Sequence, residues 1–134
     1  MAIQFSVTVR NARLDTVEST IGTAPTLEIR TGSPPANCAA SDTGTVVATL
    51  TLPSDWMAAA ASGAKAITGT WQDLSADATG TAGHFRIKLS GTTHIQGTCS
   101  ATGGGGDMEI SPNASVTLGQ SFTVNTFTLT DGNA

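Results

Sequence analysis

The stretch Gly83-His84-Phe85-Arg86-Ile87-Lys88-Leu89-Ser90-Gly91-Thr92-Thr93-His94-Ile95-Gln96-Gly97-Thr98-Cys99 decides the fold class of this 134-residue chain. Phe85, Ile87 and Leu89 alternate with His84, Arg86 and Lys88, while Ile95, Gly97, Cys99 and Ala101 alternate with His94, Gln96, Thr98 and Ser100. A period of two places one set of side chains on a dry face and the other on a wet one, as in a half-buried antiparallel strand. Two such runs separated by a short polar loop form a hairpin. With Ser90-Gly91-Thr92 as the loop, Leu89 faces Thr93, Ile87 faces Ile95 and Phe85 faces Gly97. A two-residue loop sets Ile87 against His94 and brings opposite faces together, which a half-buried sheet penalises. The odd loop is therefore expected, with Phe85 lying over Gly97 and Cys99 turned inward beside Gly83. His84 then stands opposite Thr98 and His94 opposite Lys88, both on the wet face.

The same alternation extends outward. Leu27 and Ile29 flank Glu28, and Val46, Ala48, Leu50 and Leu52 alternate with Val47, Thr49 and Thr51. Met108 and Ile110 flank Glu109, Val116 and Leu118 flank Thr117, and a last run carries Phe122, Val124, Phe127 and Leu129. Val124 and Phe127 are out of phase, so a one-residue bulge at Asn125-Thr126 is needed to keep both inside. Pro34-Pro35 and Pro53 mark turns, 56–66 reads as a helical turn or an irregular crossover, and Gly103–Gly106 reads as a flexible connector. Only residues 5–21 carry helical spacing: Leu14, Val17 and Ile21 recur at three and four residues, and Gly22 supplies the stop. The expected fold is mainly β: an antiparallel β-sandwich, jelly-roll or immunoglobulin-like, over 26–131, with one N-terminal α-helix, in a single domain spanning 1–134.

Composition narrows the function. Charged residues make up 12% of the chain, about half the roughly 25% usual for soluble proteins. Six basic residues against ten acidic ones argue against a nucleic-acid binder, which needs a basic face. No stretch approaches the ~20 apolar residues of a membrane span, and the start shows no basic-then-apolar export signal. The expected compartment is the cytoplasm, with Cys38 and Cys99 as reduced, inert thiols rather than a disulfide; Asn113-Ala114-Ser115 is then a chance sequon.

Catalytic constellations are weak. Gly103-Gly104-Gly105-Gly106-Asp107 lacks the lysine and helix start of a phosphate loop. His84 and His94 have no thiol or carboxylate to complete a metal set, and Asp73 and Asp77 supply too few oxygens for calcium. No serine or cysteine stands in a nucleophile motif with a histidine and an acid, and Glu28 and Glu109 are isolated. Trp56 and Trp71 suit a sugar-stacking face or, more commonly, a core. The reading is of a protein that is not an enzyme, with no catalytic residue, metal or cofactor.

One resemblance covers nearly the whole chain in order. Val9-Arg10-Asn11-Ala12-Arg13-Leu14-Asp15, Leu27-Glu28-Ile29-Arg30-Thr31-Gly32 with Pro34-Pro35-Ala36, Thr79-Gly80-Thr81-Ala82-Gly83-His84-Phe85-Arg86-Ile87, Ile95-Gln96-Gly97-Thr98, Gly106-Asp107-Met108 and Phe127-Thr128-Leu129-Thr130 resemble a group of small structural proteins of tailed-bacteriophage virions and prophages. The resemblance implies a non-enzymatic particle component, made in the host cytoplasm and resident in the virion. Within that class the expectation is a head decoration (cement) protein, a trimer or similar homo-oligomer bound among major capsid subunits. A tail, collar or adaptor-associated subunit is the alternative, and a receptor- or glycan-binding module using Trp56 or Trp71 a further one. The interface residues expected are Leu14, Val17 and Ile21 on the helix, with Trp56 and Met57 as loop anchors; the same helix stripe would equally serve as an internal cap.

Overall fold

The computed structural model describes residues 3–133. One helix, α1 (Val7–Ile21), precedes nine strands: β1 (Thr26–Thr31), β2 (Val46–Thr51), β3 (Ala64–Ala66), β4 (Gln72–Asp73), β5 (Gly80–Leu89), β6 (Thr92–Ala101), β7 (Met108–Ser111), β8 (Ser115–Val116) and β9 (Phe122–Thr130). The helix begins at Ser6, whose Oγ accepts from the Val9 N–H at 3.3 Å, and ends at Gly22 with φ 110°. Phe5 lies outside it, so the helix is two residues shorter at its start than its periodicity suggests.

The strands join in one curled, mixed sheet, a half-barrel, in the order β2-β1-β5-β6-β7-β9-β3, with β4 on β9 and β8 on β5. The expectation of a wholly antiparallel architecture is corrected at one place: β6 and β7 run parallel, pairing Cys99 with Met108 and Ala101 with Ile110. Parallel neighbours ordinarily need a crossover of about a dozen residues or more. Here 102–107 suffice, because the chain doubles back against its own strand. A Cβ on Gly104 would stand 2.8 Å from Ser100 Cβ, and one on Gly106 2.8 Å from Ser100 N. The glycines exist to permit this contact. They are also fixed by side chains, contrary to the reading of a loose connector: Glu109 Oε2 accepts from the Gly103 and Gly105 N–H groups, and Ser100 Oγ from that of Gly106.

The hairpin pairs Phe85 with Gly97, Ile87 with Ile95 and His84 with Thr98, as the alternation requires. The turn differs. Ser90 and Gly91 alone form it, both at positive φ (50° and 82°), as the twist of a two-residue hairpin demands. A bulge then absorbs the odd residue, so Leu89 faces Thr92 and Lys88 faces Thr93. The bulge in β9 falls at Asn125, and Val124 and Phe127 are both buried.

The curl brings β5 and β9 face to face although β6 and β7 separate them in the sheet. Phe85 and Phe127 meet edge to face at 5.3 Å, and Phe127, Trp71 and Trp56 continue the contact at 5.9 and 6.1 Å. Burying each such ring contributes roughly 2–3 kcal/mol. Both ends of the sheet are covered, β2 in part and β3 by a paired segment. On β2, the Thr49 N–H donates to Asp73 Oδ2, Thr49 Oγ1 donates to Asp77 Oδ2 at 2.7 Å, and the Asp77 N–H donates to the Val47 carbonyl at 2.8 Å. On β3, the Ala58 N–H takes the Ala66 carbonyl, and Ala61 bridges Ala64.

Gly106→Ala should destabilise the protein by about 1–3 kcal/mol, since the new methyl meets backbone that cannot step aside. Gly132→Ala, with open space at its Cβ, should change stability by less than about 0.5 kcal/mol. Urea unfolding of the two variants checks the contrast.

Candidate functional site

Ionic clusters occupy both sides of the sheet, and each fastens a surface element. The first holds α1. Asn11, Asp15, Glu18 and Gly22 recur at four, three and four residues, so they share one helix face. That face accepts from the segment beneath it: Gly63 N–H to Asn11 Oδ1 (2.9 Å), Ala60 N–H to Asp15 Oδ1 (2.9 Å), Met57 N–H to Glu18 Oε1 (3.1 Å) and Trp56 Nε1 to the Gly22 carbonyl (2.9 Å). Lys65, 2% exposed, reaches up from β3 to Asp15 Oδ1 at 2.7 Å and Glu18 Oε2 at 2.8 Å. Burial alone would lower the Lys65 pKa, but the hydrogen bonds and charges of Asp15 and Glu18 outweigh it and raise it above 10.5. The Lys65 hydrogen bond in turn leads in lowering that of Asp15, followed by the Ala60 amide. An amine held as a cation is a poor nucleophile, and the two carboxylates are occupied. A cleft of about 520 Å³ lies beside them, lined by Asp15, Glu18, Asp55, Met57 and Lys65 among others.

The second cluster holds the 32–44 loop against the outer face of β1, β5 and β6. Alternation puts Arg86 on the wet face, yet it is 1% exposed. Its Nε and Nη2 donate to Gln96 Oε1 (3.2 and 3.0 Å), Nη1 to the Ala40 carbonyl and Asp42, and Nη2 also to the Asn37 and Cys38 carbonyls. Gln96 Nε2 continues to the Pro35 carbonyl at 2.8 Å. Arg30 and Lys88 flank it, both bridging Glu28 and Asp42. The Asp42 carboxyl is brought down to about 2, first by its hydrogen bond from Lys88 and then by that from Arg86.

The residues expected to face a partner lie elsewhere. Leu14, Ile21, Trp56 and Met57 are between 0% and 6% exposed, so they belong to this chain's own interior; Val17 is half-buried and packs against it. As partner-facing anchors they are corrected: the helix stripe caps the sheet. The rings of Trp56 and Trp71 are enclosed, which removes the sugar-stacking platform. His84 is also corrected: it is fully buried, with Nδ1 2.9 Å from the Gly32 carbonyl, because the loop roofs the face it stands on. His94 stays exposed on β6. Cys38 and Cys99 are free thiols, and burial pushes that of Cys99 up to about 12. Asp73 and Asp77 bond Thr49 and Ser75. Among the described residues, no three His, Cys, Asp or Glu side chains converge for a metal. The polar helix stripe and the Arg86 post were missed by the sequence reading. The four-three-four spacing of Asn11, Asp15, Glu18 and Gly22 was a usable signal for the first; the second had none beyond the length of the loop.

Arg86→Leu should cost at least about 1–3 kcal/mol, because it leaves Gln96 Oε1 and a set of loop carbonyls without their donor and Asp42 with two of its three cations, with faster amide exchange confined first to 33–44. The fasteners also respond to pH. The Asp42 carboxyl is lower folded than unfolded, so its stabilisation is complete above about 4 and fades as pH falls through about 2. Lys65 is higher folded than unfolded, so its contribution holds below 10.5 and is lost as pH rises past its folded value. Hydrogen exchange should therefore show the loop releasing in acid and α1 releasing in strong alkali.

Comparison with protein-family models, with curated proteins and with solved structures returns no significant match.

Proposed function

We propose that this chain is a structural subunit of a tailed-bacteriophage particle, and that it decorates the assembled head. The observation that carries the reading is the covering of both sheet ends, at Val47 and Thr49 of β2 and along β3, by the chain's own loops and carboxylates. Copies crowded on one particle meet at high local concentration, where an open strand edge would join them into fibres. A sealed edge leaves side-chain docking as the means of assembly. The two ionic fasteners point the same way, since they spend charge on holding surface elements in one shape.

The meeting of Phe85 and Phe127 supports describing the two halves of the curled sheet as the layers of a sandwich, the form suited to such a module. The subunit would be made in the host cytoplasm and would bind, as a trimer or similar cluster, among major capsid subunits. It would stabilise the shell by mass action, binding the assembled state and not its separated parts. No catalysis or cofactor enters this role. A tail, collar or adaptor-associated place is the second reading, resting on the same sealed edges.

Quantitative mass spectrometry of purified particles tests this. Hundreds of copies per particle are expected for decoration; a number near six or twelve moves the chain to the collar or tail. Absence from the particle overturns the proposal.

A further inference from the structure

We infer that the tip formed by 73–79 and 117–120 is a docking surface for a protein face that is apolar at its centre and rimmed by lysine or arginine. The tip joins two connections, β4 to β5 and β8 to β9. Leu74 is 71% exposed and Leu118 65%, the former in one connection and the latter in the other. The two connections are tied together: the Ala76 N–H donates to the Gln120 carbonyl (2.8 Å), the Gly119 N–H to the Ala76 carbonyl (2.9 Å), and the Leu118 N–H to Thr79 Oγ1 (2.9 Å). Ala76 is buried beneath them. The tip is thus built before any partner arrives, and binding there orders little further backbone.

Charge selects the partner. All six basic side chains are engaged within the chain. Arg30, Lys65, Arg86 and Lys88 are in the fasteners, Arg13 pairs with Asp131, and Arg10 donates to the Asp131 carbonyl. Among the described residues, Asp55, Asp73, Asp77, Asp107 and Glu109 have no cationic partner. Two of these, Asp73 and Asp77, flank Leu74. Their hydrogen bonds to Thr49 and Ser75 orient the carboxylates without neutralising them. Among the described residues a second copy offers at most Arg10, bonded to a backbone carbonyl, and Arg13, both on its helix and far in sequence from the tip, and two tips face to face would set like charges together. The matching surface therefore belongs to a different protein, one with basic residues around an apolar socket.

The inference rests on the reading of the chain as an assembly subunit, but its test needs no particle. A short amphipathic helical peptide of leucine and lysine serves as the probe, titrated into isotope-labelled protein. Amide shifts are expected to concentrate on 73–79 and 117–120. Affinity should fall roughly tenfold in the Leu74→Ser/Leu118→Ser double variant and fall with added salt; a leucine–glutamate peptide should not bind. Shifts centred on Asp55 or on Asp107 and Glu109, with undiminished affinity in the double variant, would overturn the inference as plain attraction to acid. Light scattering that shows a dimer abolished by the double variant would overturn it in favour of self-association. Particle copy number decides the assembly role separately.

Discussion

A guanidinium that is withdrawn from water must find an acceptor for every nitrogen, and Arg86 sets the outer half of this molecule by that rule. Leaving one donor unmet inside a protein costs far more than a surface bond returns. The acceptors come from Asn37, Cys38, Ala40, Asp42 and Gln96, so the 32–44 loop has little choice of path. The loop then does for the outer sheet face what a second layer of structure does elsewhere. It buries His84 and shields Arg30, and it delivers Asp42 to three cations at once. A face that alternation marks as wet becomes an interior held by charge.

The inner face was legible in the residues for a plain reason. Apolar side chains at every second position have one stable place to go, so Phe85, Ile87, Ile95, Val124 and Phe127 could be assigned to the core, along with the β9 bulge that reconciles the last two. Three features were not legible. The parallel β6–β7 pair depends on a chain reversal that sequence periodicity does not encode; the glycines of 103–106 look the same in a slack linker and in a tight return. Strands β3 and β4 are too short to show a period. Burial of Arg86, His84 and Lys65 depends on what a distant loop or helix covers, which is a tertiary fact. The docking residues failed for a related reason. An apolar helix stripe must be covered, and Leu14 and Ile21 say nothing of whether the cover is the same chain or another.

The helix and the loop are fastened by the same device on opposite sides of the sheet. In each case a long basic side chain rises from a strand, and acidic and backbone oxygens of the covering element close over it. Buried ion pairs add little net stability compared with apolar residues of equal volume, because desolvation opposes the attraction. Their strength is in geometry: a carboxylate one turn out of place leaves a buried charge unmet, so few alternative packings survive. For a covering element with few apolar side chains, such as the alanine- and serine-rich 33–44 segment, charge supplies the specificity that packing does not.

That use of charge has a consequence at the surface. A chain with six lysines and arginines that commits four of them to its two fasteners leaves a surface field made largely by its remaining acids. Two copies meeting tip to tip would set like charges together, while the covered strand edges hinder one route by which β proteins join without design. The docking proposed at the tip calls for a partner that brings positive charge and accepts exposed leucine. On that proposal, the interior fastening and the choice of neighbour follow from one distribution of charge: most of the positive residues hold the fold, and negative residues left over at an ordered apolar tip select what rests against it.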